Sequence, residues 1–158
     1  MFVPLTPVRC MHRAVDVFTK KIGVVCGQRQ FTYQQFGERC EKLATALPKE
    51  GIQHGDRVAY LSFNNHQLLE GYYGVVQARG IVMPLNVRLS PLELINILNH
   101  SGARMLIFEN DFAPLVEQLK PACPEIKTSV IVSPRWHPHL LACAPDSYRE
   151  PCLLDSSA

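Results

Sequence analysis

Apolar positions along this chain follow two alternating rhythms. Val8, Met11, Val15 and Phe18 recur at helical spacing behind Thr6-Pro7, a capping hydroxyl followed by proline at the first helical position. Ile22 to Cys26 reads as a strand, Gly27-Gln28 as a turn and Arg29 to Phe31 as the return strand. Thr32 and Gln35 then form a capping box, and Phe31 and Phe36 are placed to staple across it. Tyr33, Phe36, Cys40, Leu43, Ala44 and Leu47 line one face of the helix that follows. Gly51 is its expected terminator, although Pro48 fits poorly inside a last turn.

Gly55-Asp56 turns the chain into a strand from Arg57 to Phe63, and Asn64-Asn65 opens a helix whose apolar face is Leu68, Leu69, Tyr72, Val75 and Val76, with Gly80 just beyond. Ile81 to Leu85 is read as a buried apolar run, which Pro84 confines to the end or edge of a sheet. Ser90, Pro91 and Glu93 repeat the capping signal, with a Leu89–Leu94 staple, for a helix running to about His100. Met105 to Phe108 is a strand, Asp111 is the expected cap of a helix through Leu119, and Ser129 to Val132 is the last strand. Strands alternating with helices predict an α/β fold: a largely parallel sheet with helices on both faces and an N-terminal antiparallel hairpin. From Pro134 the periodicity ends, so a boundary is expected at Ser133, with an irregular tail over 134–158.

Composition adds limits. With 158 residues, 47% hydrophobic and 19% charged, the chain is globular and long enough for one core. A net charge of +2, with Lys20-Lys21 as the longest basic cluster, gives no footprint for nucleic acid. No stretch approaches the roughly 18–20 apolar residues of a membrane span, and the N-terminus lacks the layout of a secretory signal. The six cysteines are scattered, with no C-x-x-C pair, which points to reduced thiols in the cytosol. Cys26 and Cys40 are expected to be buried as small apolar residues.

Candidate chemistry is sparse. The nine glycines form neither of the phosphate-cradling motifs, and Gly71-Tyr72-Tyr73-Gly74 falls mid-helix, where small residues allow close packing. His137, His139 and Cys143 could in principle gather zinc, but an irregular tail offers no frame for four ligands. His54, His66 and His100 read as surface histidines, and His12 has no marked role. Ser62 follows an apolar strand but lacks the flanking glycines of a hydrolase elbow. Glu70 could serve as a general base, yet reads by default as an exposed helical charge. No catalytic, cofactor-binding or metal-ligating residue is assigned.

Several stretches taken together resemble a known superfamily. Phe31-Thr32-Tyr33-Gln34-Gln35-Phe36 resembles the first conserved block of the adenylate-forming enzymes, and Gln77 through Asn86 is similar to the second. Gly55-Asp56-Arg57-Val58-Ala59 lies between them, and Asn86 through Leu94 and His100 through Arg104 follow in the family's order. The likeness covers roughly residues 4–133 and leans to the acyl-CoA ligase branch through Pro84-Leu85-Asn86. It departs from the family at Arg79, where a glycine is usual, which implies looser packing there.

For full-length relatives the resemblance implies that ATP and a carboxylate give an acyl-adenylate and pyrophosphate, with magnesium screening the phosphates, before the thiol of coenzyme A displaces AMP. The phosphate loop, ATP-binding aspartate and catalytic lysine belong to later parts of such enzymes and have no counterpart here. The chain is therefore expected to be a truncated, cytoplasmic ligase segment that binds no cofactor and is inactive alone. Its alternative is a non-catalytic module that pairs with another chain. Uncovered sheet or helix surface is expected to lead to self-association or to binding of the missing remainder, with residues such as Trp136, Leu140 and Leu141 covering it in part.

Overall fold

The computed structural model describes residues 6–132. Their elements, in chain order, are α1 (Pro7–Phe18), β1 (Ile22–Cys26), β2 (Arg29–Thr32), α2 (Tyr33–Lys49), β3 (Arg57–Leu61), α3 (His66–Gln77), β4 (Ile81–Pro84), α4 (Pro91–Ser101), β5 (Met105–Glu109), α5 (Ala113–Leu119) and β6 (Thr128–Val132). β1 and β2 form an antiparallel hairpin, while β4-β3-β5-β6 make a four-stranded sheet whose neighbours all run parallel.

Alternation along the strands sorts side chains onto two faces. Val58, Tyr60, Met105, Ile107 and Val130 pack with Leu43 and Leu47 of α2 and with Leu68 and Val75 of α3. Ala59, Leu61, Leu106, Phe108 and Ile131 pack with Leu94 and Leu98 of α4 and with Val116 and Leu119 of α5. With both faces covered, the central strands become continuous apolar runs. A third, smaller cluster of Met11, Phe36 and Cys40, with Phe31 packed against it, joins α1 and the hairpin to α2.

The local signals act as read. Thr32 Oγ1 accepts from Gln35 N–H at 3.2 Å, while Gln35 Oε1 accepts from Thr32 N–H at 2.9 Å. Ser90 and Glu93 repeat the reciprocal cap on α4. Pro48 does lie inside α2, in its last turn, and the helix still ends cleanly. Gly51 has φ 84°, its N–H donates to Pro48 O, and Ile52 N–H donates to Leu47 O, the paired bonds of a glycine-terminated helix.

Four details depart from the sequence pattern. Asp111 is not a helix cap: it sits inside a 3-10 turn over Asn110–Phe112, and no side-chain hydrogen bond caps α5. β3 stops at Leu61 because the chain leaves the sheet at Ser62, whose hydroxyl bonds to Glu109. Tyr72 and Val76, expected on the buried face of α3, are 42% and 45% exposed. The inward face instead carries His66, Gln67, Glu70, Gly71 and Gly74 beside Leu68 and Val75. Its glycines permit this approach. A Cβ on Gly71 would lie 2.5 Å from the Tyr60 ring, and one on Gly74 would lie 2.9 Å from the Cys40 carbonyl of α2.

Strand β4, expected to be buried, is the fourth departure: it lies at the edge of the described sheet with Ile81 51% exposed, and Pro84 stands at its end. Ile81 N–H bonds Asp56 O and Leu85 N–H bonds Tyr60 O, so positions 81, 83 and 85 face β3. Val82 and Pro84 therefore face the open edge, and Pro84 has no N–H to offer.

Among the described residues, Arg79 is the one non-glycine with positive φ, at 63°. It ends α3: its N–H donates to Val76 O, and Gly80 N–H donates to Val75 O. The left-handed position thus falls on Arg79, and the following glycine is needed for space, since a Cβ there would meet Val75 at 3.0 Å. The departure at this position is backbone strain at a helix end, rather than looser packing. Arg79→Gly is expected to raise stability by about 0.5–1 kcal/mol in urea titration, the relief of left-handed strain less the added chain entropy of glycine; Arg79→Val is expected to lower it.

Candidate functional site

Doubly wound sheets bind ligands outside the carboxyl ends of the strands, where neighbouring strands send their connections to opposite faces. Here that place lies between β3 and β5. The chain leaves β3 for α3 on one face and leaves β5 for α5 on the other. Glu109, the last residue of β5, fills the gap. Its Oε1 accepts from Ser62 Oγ and from Phe63 N–H at 2.6 Å each, and from Asn65 Nδ2 at 2.9 Å. Asn65 in turn caps α3 by accepting from Leu68 N–H at 2.9 Å. The Phe63 and Phe112 rings meet at 5.1 Å over the same crevice. Glu109 thus ties the end of β5 to the β3–α3 connection through three hydrogen bonds.

Ser62, one of the two residues weighed for chemistry, is therefore a buried donor to Glu109. Glu70, the other, is not an exposed helical charge. Its side chain is fully buried, and both carboxylate oxygens are held by Arg39: Nε to Oε1 at 2.5 Å and Nη2 to Oε2 at 3.2 Å. Burial pushes the Glu70 carboxyl up, while hydrogen bonding and the charge of Arg39 pull it back. The Cys40 thiol and the Tyr60 phenol are both pushed up, first by burial and then by Glu70. Such groups stay neutral, and a raised thiol is an unreactive one. Cys40 is buried as expected; Cys26 is half-buried.

His66 is likewise not a surface histidine. It is 4% exposed, and neither ring nitrogen has a hydrogen-bond partner among the described residues. Its ring lies 5.0 Å from that of Phe31, and Arg39 stacks on Phe31 at 5.3 Å. Burial, and then Arg39 and Arg29, lower its pKa to about 4. The structure brings Glu70 and His66 into one cluster around Arg39, and that cluster is a clamp on the hairpin through Phe31. His12 shares a 2.9 Å contact with Gln77 Nε2 on the surface, and His54 and His100 are exposed. His137, His139 and Cys143 lie outside the described residues. Among the described residues no three His, Cys, Asp or Glu side chains gather as metal ligands, and no helix is long and apolar enough to cross a membrane.

Arg39 and Glu109 were not singled out in the sequence. Arg39 and Glu70 stand 31 positions apart with no motif between them. Glu109 had one available signal, a charged residue ending an apolar strand next to a predicted crossover.

A sequence profile described as AMP-binding enzyme matches residues 11–151. The chain belongs to the AMP-binding enzyme family. The match runs past Ser133 into the stretch that lacks periodicity, whose structure lies outside the described residues. The chain is 32% identical over 128 residues to 4-hydroxybutyrate–CoA ligase 2 of Metallosphaera sedula, which covers 81% of this chain and 23% of that protein. It is 37% identical over 102 residues to a fatty acid–[acyl-carrier-protein] ligase of Streptomyces coeruleorubidus, covering 65% and 20%. Among solved structures, the fold matches an anthranilate–CoA ligase in complex with anthranoyl-AMP, with a TM-score of 0.79 and 24% identity over 84% of this chain and 26% of that one. A benzoate–CoA ligase from Burkholderia xenovorans matches with a TM-score of 0.72 and 19% identity, over 94% and 30%. The chain thus spans only a fifth to a quarter of the length of the relatives named by sequence.

Two outcomes test the clamp. His66 binds a proton near pH 4 in the fold against an ordinary 6.5, so the unfolded chain takes up the proton first. Its contribution to stability is complete above 6.5 and is lost as pH falls towards 4. Glu70 works in the opposite sense: its raised value favours the fold at low pH, and that share is lost as pH rises. His66→Leu is therefore expected to flatten the fall in melting temperature between pH 6.5 and 4; an unchanged fall would locate the acid sensitivity elsewhere. Separately, Glu70→Ala is expected to cost about 3–5 kcal/mol in urea titration by stranding Arg39, whereas the Arg39→Met/Glu70→Leu double replacement is expected to recover most of it.

Proposed function

We propose that this chain contributes the N-terminal scaffold of an acyl-CoA ligase and that the 158 residues alone do not activate a carboxylic acid. The observation that carries this reading is the Glu109 carboxyl, bonded to Ser62, Phe63 and Asn65 at the switch point between β3 and β5, a position where sheets of this kind often take a ligand. It is supported by the sequence, which lacks a glycine-rich phosphate loop, and by the small share of each relative that the chain spans. In the complete ligase ATP would adenylate the carboxylate with release of pyrophosphate, magnesium would screen the phosphates, and coenzyme A would displace AMP to give the thioester. The relatives named above act on 4-hydroxybutyrate and fatty acids, which makes an aliphatic carboxylate the substrate class to test, and the site of action proposed is the cytosol.

The partner proposed is the remainder of the ligase fold. Tyr72 and Val76 lie one turn apart on the outer side of α3, and Ile81 is 51% exposed on the neighbouring strand β4. In its absence this apolar flank is free to drive self-association.

The test is pyrophosphate release from ATP by the purified chain, with butyrate, 4-hydroxybutyrate and longer fatty acids. Release at the level of a no-protein blank is expected. Acid-dependent release above it would overturn the reading.

A further inference from the structure

The outer surface of α1 and the hairpin serves neither the core nor the two polar clusters. α1 is anchored by Met11 on its inner side, while Arg9, Arg13 and Val17, spaced four apart, are exposed on the other. Just past the helix, Lys20 and Lys21 are exposed as well, and Lys21 Nζ stands 4.6 Å over the Phe18 ring. Val17, Phe18, Ile22 and Val25 are all large, apolar and exposed within this short stretch. Single exposed apolar residues are ordinary; a run of them flanked by like charges is not.

The charge is local too. From Thr6 to Thr32 there are five basic residues (Arg9, Arg13, Lys20, Lys21, Arg29) and one acid, Asp16. The whole chain nets +2, so the rest of it is net acidic. The positive charge therefore falls in the same stretch of chain as the exposed apolar side chains.

We propose that this surface docks on an anionic phospholipid bilayer, with Val17, Phe18 and Ile22 entering the headgroup layer while Arg9, Arg13, Lys20 and Lys21 meet the lipid phosphates. Basic residues near an anionic leaflet are attracted within a Debye length, and apolar side chains add a transfer term; stable anchoring takes both. An acidic protein would also satisfy the charges. The apolar side chains, however, project from a helix end and a two-stranded hairpin, and a fluid interface accepts such tips without a matching recess.

Vesicle flotation with the full chain decides it, with a lipid-free control. Binding is expected to phosphatidylcholine vesicles containing phosphatidylserine and not to phosphatidylcholine alone. Arg9→Glu/Arg13→Glu is expected to weaken binding roughly tenfold or more, and high salt should have the same direction of effect. Val17→Ser/Ile22→Thr should weaken it on both sides of the salt range. Circular dichroism and thermal melting establish that each variant is folded, so that lost binding reports the surface. Equal binding to neutral and anionic vesicles, undiminished binding by folded variants, or binding to soluble polyglutamate without binding to vesicles would each overturn the proposal.

Discussion

Helix α3 turns small and polar residues towards the core, and the Arg39–Glu70 pair is what lets it do so. Gly71 and Gly74 bring its backbone against Tyr60 and α2, and Glu70, the residue just before Gly71, is buried with them. A lone carboxylate there would be far too costly. Arg39, reaching from α2, satisfies both oxygens with a planar fork, and its remaining face lies on Phe31. One guanidinium thereby joins α2, α3 and the hairpin. The parallel sheet inherits its alignment from this arrangement, because α3 is the crossover between β3 and β4.

How much of this was legible depends on the distance over which each cause acts. Capping boxes at Thr32 and Ser90, the proline starts and the alternating strands act within a few residues, and they could be read directly. The buried face of α3 could not. Its apolar side chains suggested a stripe through Tyr72 and Val76, but the burying face was decided by where glycines permit close approach. A pattern of hydrophobicity treats Glu70 and His66 as outward residues; only the partner helix, 31 positions away at Arg39, reverses that. Asp111 failed as a cap for a related reason, since a 3-10 turn displaced the helix start. The Ser62–Glu109 knot likewise needs β3 and β5 to be adjacent, which is a property of topology.

In this member of the AMP-binding enzyme family the carboxyl ends of β3 and β5 are tied together by Glu109. A sheet of this topology ordinarily presents its switch point to a ligand, and here the polypeptide supplies its own anion to that position. The capped strand ends hold the β3–α3 and β5–α5 connections together as a rigid unit.

Pro84 has a consequence for the chain as it is being made. Synthesis delivers β3 and β4 before β5 and β6, so for a time the outer edge of β4 is a border of a very small sheet. With Ile81 and Met83 turned to β3 and no amide at Pro84, that border offers Val82 as its single inner donor. Along that border an adjacent nascent chain on one messenger finds too few donors for a ladder. The proline thus blunts one edge during translation and leaves strand addition to the opposite side, where β5 and then β6 arrive in order.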